Sequence, residues 1–184
     1  MPQAILHDAV SLRHFAVAGQ MNLLDQMHGS RPLPRWAEAV RDEIEEAKLR
    51  GISHCGVVLA NAWLDEPEEI GLADVVGVER IRAALTSPGE SDKRNLGEAQ
   101  SIFLAKRFEG FFFTDDNVAY SWARDSGMLP GHRVIDSVEV LRRAVGDTLI
   151  TSNEARKIFD DVIKADRDFR REHPIDPPRD YFDR

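Results

Sequence analysis

The chain has 184 residues, 42% of them hydrophobic, and a formal net charge of −8. That length fills one domain and leaves little for a second complete core. The single cysteine, Cys55, excludes an internal disulfide framework and a cysteine-built zinc site, and the negative balance argues against gripping nucleic acid through overall basicity.

The opening MPQAILHDAV has no basic region followed by a long apolar run, so no secretory signal is expected. No stretch approaches the ~20 apolar residues of a membrane span. A cytoplasmic protein is the expectation. AILHD (4–8) reads as a short buried strand ending in an acid. Residues 10–27 carry apolar Leu12, Phe15, Ala16, Leu23, Leu24 and Met27, which predicts one or two helical pieces interrupted near Gly19. RPLPRWAEAVRDEIEEAKLRG (31–51) predicts one helix with Pro34 in its first turn. Its stripe is Ala37, Val40, Ile44 and Ala47, and Gly51 follows its basic end.

GVVLA (56–60) is strand-like, residues 72–85 look helical, and TSPGESDKR (86–94) reads as a loop. GEAQSIFLAKRFEG (97–110) is a helix apolar on most sides, hence largely buried. FFFT (111–114) follows as a strand, and VAYSWARDSG as a helix closed by Gly127. RVI (133–135) is a short strand, after which Asp136 or Ser137 can cap a helix to about Val145. Ala155, Ile158, Phe159, Val162 and Ile163 recur at helical spacing over 153–166. The expected organisation is an α/β domain over 1–150, a C-terminal helix over 151–171 packed on or extending it, and a proline-rich, charged tail over 172–184 that is extended, disordered or laid on a partner.

Short apolar strands alternating with helices imply a three-layer α/β/α sandwich around a mainly parallel sheet. Ligands of such sheets gather outside the carboxyl ends of strands, where Asp8 and the Asp115–Asp116 pair fall. Glu43 flanks the apolar stripe of its helix, whereas Asp42, Glu45 and Glu46 project away at ~100° per residue. Glu98 opens the buried helix. Each acid has an ordinary alternative. Asp8, Asp115 or Asp116 can cap a helix, Glu43 can be solvated, and Glu98 can face a helix dipole. Gathered at one sheet edge, however, they would repel unless neutralised. Mg²⁺ or Mn²⁺ suits such oxygen donors, and paired ions can activate water against a phosphodiester.

ILHDAVSLRHFAVAGQMNLL, AVRDEI and LGEAQSIFLAKRFEGFFFTDD together resemble the PIN-domain family, in order over about residues 4–150 and least well over 52–90. The bacterial PIN proteins that include toxins of toxin–antitoxin pairs look most similar. The resemblance implies a metal-dependent endoribonuclease leaving a 5′-phosphate and a 3′-hydroxyl. It matches Asp8, Glu43, Glu98 and Asp116 to the four acids, with Asp115 sharing the last role and Thr114 and Ser11 as polar supports. In that picture Asp8, Glu98 and Asp116 hold the principal Mg²⁺ or Mn²⁺, and Glu43 reaches it directly or through water. The implied partners are an RNA substrate, a protein antitoxin and a second copy of the chain. The family usually sets a small polar residue two positions after its first acid, where this chain has Val10, with Ser11 one place later.

Lys106–Arg107, Arg142–Arg143, Arg31 and Arg35 are candidate phosphate contacts, and Trp36, Trp63 and Trp122 candidate stacking platforms. Trp122, in a helix that packs on the sheet, reads better as core. His14, His54 and His132 have no HxxxH spacing and receive no catalytic role, and no P-loop occurs. The competing reading is a PIN-like partner-binding protein without useful nuclease activity. A receiver-like phosphoacceptor fits less well, because RVID (133–136) lacks the late-strand lysine that class expects.

Overall fold

The computed structural model describes residues 4–28, 33–87, 95–165 and 181–183. Strand β1 (Ala4–His7) is buried at every position, so both faces of the sheet are covered, as a parallel sheet requires. Four strands stand in the order β2-β1-β3-β4, where β2 is Leu33–Trp36, β3 Phe111–Phe113 and β4 Val134–Ile135. All three pairings are parallel. With nine α-helices among the described residues, this is a small three-layer α/β/α sandwich.

The chain leaves β1 for β2 on one side and then returns to β3 on the other. The carboxyl ends of β1 and β3 therefore flank the topological switch point, the usual ligand crevice of such sheets. Their register pairs His7 with Phe113, so the next residues, Asp8 and Thr114, emerge side by side. Gly110 permits this closeness. A Cβ there would lie 2.4 Å from the carbonyl oxygen of Ala4, a backbone atom that cannot swing aside.

Helices α1 (Ala9–Val17) and α2 (Met21–His28) are the two expected pieces, separated at Gly19, whose φ of 67° suits glycine. Helix α3 (Glu38–Leu49) buries Val40, Ile44 and Ala47. Two expectations fail nearby. Leu33–Trp36 is strand rather than the helix's first turn. Pro34 sits there because β2 is an edge strand among the described residues, where a missing N–H is tolerated. Residues 56–59 of GVVLA belong to α4 (His54–Leu59), with Ala60 as its C-cap, and Cys55 and Val58 of that helix face the core three residues apart. Six residues with two valines fit a strand or a buried helical turn equally well.

Helix α5 (Val75–Leu85) lies within the predicted 72–85. Thr86 and Ser87 follow without regular structure, and the rest of the expected loop, 88–94, lies outside the described residues. Helix α6 (Leu96–Arg107) is buried on most sides, including Ala99, Ile102, Leu104 and Ala105. Helix α7 (Asn117–Asp125) is followed by Gly127 at φ 67°. Asp136 caps α8 (Ser137–Gly146) by accepting the N–H of Glu139 at 2.7 Å.

Helix α9 (Ser152–Ala165) buries Ala155, Ile158, Phe159 and Val162. At the end of the chain a 3₁₀ turn, Tyr181–Asp183, packs against α8 and α9. Phe182 is buried against Phe159, and its carbonyl accepts the Ser152 hydroxyl at 2.6 Å. This part of the expected tail thus rests on its own chain, while 172–180 lie outside the described residues.

Candidate functional site: an acidic cleft at the sheet switch point

Asp8, wholly buried, leaves β1 and caps α1 by accepting the N–H of Ser11 at 2.7 Å. Its other oxygen accepts a short hydrogen bond from the Thr114 hydroxyl, which itself accepts the N–H of Asp116 at 3.0 Å. Ser11 directs its hydroxyl at the carbonyls of Asp8 and Phe113, at 3.2 and 3.3 Å, pinning α1 to the ends of both strands. The two polar supports therefore fix backbone and carboxylates rather than facing solvent.

Asp116 caps α7 by accepting the N–H of Ala119 at 2.7 Å and also lines a cleft of about 380 Å³. Glu43 of α3 and Glu98 of α6 line the same cleft. Two features bring their helices together. Gln100 accepts the N–H of Ala39 at 2.9 Å, tying α6 to the start of α3. Gly97 lets the helices close, since a Cβ there would lie 3.2 Å from Val40 and 3.6 Å from the Glu43 carboxylate.

Asp115 takes no part in the cleft lining. One oxygen accepts the N–H of Ser137 at 2.8 Å, and the other lies 2.7 Å from His14 Nδ1 and accepts a short hydrogen bond from the Ser137 hydroxyl. All three side chains are nearly inaccessible. This network ties α1, the exit of β3 and the start of α8 into one unit. His14, given no role from spacing, is thus a structural partner, and no sequence pattern marks the contact across 101 residues.

The carboxylates sense one another. Burial pushes Asp8 up to about 7 despite the hydrogen bonds from Ser11 and Thr114, and the charge of Asp115 adds to it. Burial, then the charges of Glu43, Asp8 and Asp116, pushes Glu98 up to about 8. Burial also raises Glu43, with Asp116 and Glu46 contributing, while Arg13 and Arg50 oppose the rise. Neighbouring carboxylate charges thus add to burial in raising Asp8, Glu43 and Glu98. Among the described residues, no group of three or more His, Cys, Asp or Glu side chains stands close enough to hold a metal ion.

Asp42 and Glu46, set aside in the sequence as outward-facing, also line the cleft, together with Asn95. Other candidates are committed elsewhere. Trp36 is buried with its indole N–H on the Asp65 carbonyl at 3.1 Å. Trp63 packs edge-on to His7, 5.8 Å between centroids, and Trp122 is a partly buried neighbour of the core. Arg35 pairs with Glu68, Arg107 with Asp74, and Arg142 and Arg143 both with Glu139. Lys106 is exposed, and Arg31 lies outside the described residues.

Fold and site together define a parallel α/β sandwich with a carboxylate-lined cleft at its switch point. No protein-family model, curated protein or solved structure matches the chain. Among the described residues no helix is long and apolar enough to cross a membrane.

Proposed function

We propose that the chain is a PIN-type endoribonuclease dependent on Mg²⁺ or Mn²⁺, acting as the toxin of a toxin–antitoxin pair. The observation that carries this reading is the meeting of Glu43, Glu98 and Asp116, from three separate elements, around one cleft beside Asp8. An all-oxygen donor set of this kind suits a hard cation, and Mg²⁺ keeps several waters, so some carboxylates can serve through water. The residues fit such an ion in kind. Among the described residues no three such side chains stand close enough to hold an ion, so direct ligation by all three acids would need their side chains to move.

Glu98 and Asp116 would hold the ion, with Glu43 reaching it directly or through water and Asp8 fixed behind them at the end of β1. When bound, the ion supplies a water of lowered pKa and offsets charge at the phosphate. The chain's own work is positional. Thr114 and Ser11 fix Asp8, Thr114 and Ala119 fix Asp116, and Gly97 lets Glu98 and Glu43 stand face to face. Water would add to phosphorus as the P–O3′ bond breaks, so that O3′ departs as the 3′-hydroxyl of the upstream fragment and the phosphate stays on the 5′ oxygen of the downstream one.

One observation favours a second reading, a partner-binding protein without cleavage. Both Asp8 oxygens already accept hydrogen bonds and neither is open to solvent. Cleavage of single-stranded RNA in Mn²⁺ or Mg²⁺ separates the two. The nuclease reading expects cleavage that stops in EDTA and in Asp116→Asn with the fold intact. A pure wild-type chain that binds a partner protein but leaves RNA uncut in either metal supports the second reading.

A further inference from the structure

The end of the chain is gripped in the way a bound peptide is. Phe182 is only 2% exposed, with its ring 6.4 Å from that of Phe159 on α9 and the Tyr181 ring edge-on to it at 5.6 Å. Its carbonyl accepts the hydroxyl of Ser152, at the start of α9, at 2.6 Å. Tyr181 stands beside Arg142 of α8, whose guanidinium is held by both oxygens of Glu139 at 2.8 Å. A buried aromatic anchor, a hydrogen bond to its main chain and a charged rim are the usual means of holding a short segment.

The walls of this groove have supports of their own. Helix α8 buries Val138, Val140, Leu141 and Ala144 and is tied to the exit of β3 through the Ser137 N–H on Asp115 at 2.8 Å. Helix α9 buries Ala155, Ile158 and Val162 and packs on both α8 and α1. Neither Ser152, Phe159 nor Arg142 lines the acidic cleft, so an occupant here leaves that cleft open. The identical end of a second copy would gain no contact over the tethered one and would pay the entropy of association. A partner segment with the same anchor and further contacts beyond it can displace the tethered end.

We propose that the groove between α8 and α9 is a peptide-docking site, filled at rest by the chain's own Tyr181–Phe182 and open to a segment of a partner protein that carries two adjacent aromatic residues. The site is separate from the acidic cleft and does not rest on the nuclease reading.

Anisotropy of a fluorescent peptide DYFDR, the sequence of residues 180–184, titrated with the full chain tests the proposal. Phe182→Ala empties the aromatic pocket, and that chain should bind the peptide about tenfold more tightly than wild type, whose own tethered end competes. A control peptide DYADR, without the phenylalanine ring, should bind neither chain. Equal affinity of DYFDR for the two chains, or equal binding of DYFDR and DYADR, would overturn the proposal. If Phe182→Ala fails to fold, Phe182→Leu decides, since leucine fills most of the pocket. Its affinity for DYFDR should exceed that of wild type severalfold, and an affinity equal to wild type overturns the assignment. Light scattering supplies the remaining arm. Concentration-dependent dimers of the wild-type chain that Phe182→Leu dissolves would give the groove to a second copy and overturn the partner assignment.

Discussion

Thr114 donates its hydroxyl to the buried carboxylate of Asp8 while accepting the backbone N–H of Asp116. One side chain thereby sets the distance between the acids that leave β1 and β3. Thr114→Val keeps the shape and removes the donor, leaving a buried Asp8 oxygen short of a partner, at a cost of about 1.5–3 kcal/mol. Urea denaturation should show that loss, and Thr114→Ser should recover most of it. Equal midpoints for wild type and Thr114→Val would mean the bond contributes nothing.

Adjacent aspartates should behave differently. Asp115→Ala strands the Ser137 N–H and hydroxyl and the His14 ring in the core, so a loss of about 3–5 kcal/mol is expected. Asp116→Ala removes a helix cap, costing about 1 kcal/mol. Activity should follow the opposite order once folding is accounted for, with Asp116 variants folded and inactive. Calorimetric melting of the two variants beside an RNA-cleavage assay checks both halves. Asp116→Ala proving the less stable variant contradicts the assignment.

The proton affinities of Asp8, about 7, and Glu98, about 8, lie above those of the unfolded chain. The folded state thus holds more protons between pH ~4 and ~8, and unfolding free energy falls as pH rises through that window. Glu139 and Glu154 are shifted the other way, and their contribution is already complete above pH ~5. Metal-free protein should melt about 5 °C or more lower at pH 8.5 than at pH 5.5, as about 2 kcal/mol implies for a domain this size. Mn²⁺ should recover most of the difference at pH 8.5 by taking the place of the lost protons. A melting temperature that rises over this range would refute the clustering.

How far the sequence discloses this arrangement depends on the kind of signal. The positions of Asp8 at the end of β1 and of Glu98 in the first turn of α6 are legible because short apolar runs mark the strand and the buried helix beside them. The Phe111–Phe113 run is legible as a central strand because it is short and wholly apolar. Asp115 and Asp116 look equivalent in sequence, but adjacent residues leaving a strand point to opposite sides. One enters the cleft and the other the core. Pro34 misleads because a helix start and an edge strand both tolerate a missing N–H. Asp42 and Glu46 escape a periodicity argument, since the packing of α6 against α3 decides which helical flank becomes cleft wall. Gly97, which allows that packing, carries no mark beyond being a glycine.

The most direct measurement is an anomalous-difference map from a crystal of the wild-type chain soaked in Mn²⁺. The account predicts a peak in the cleft within about 2.2 Å of carboxylate oxygens from at least two of Glu43, Glu98 and Asp116, lost in Asp116→Asn. A cleft that stays without a peak at saturating Mn²⁺, or a peak bound only by surface carboxylates elsewhere, would contradict it.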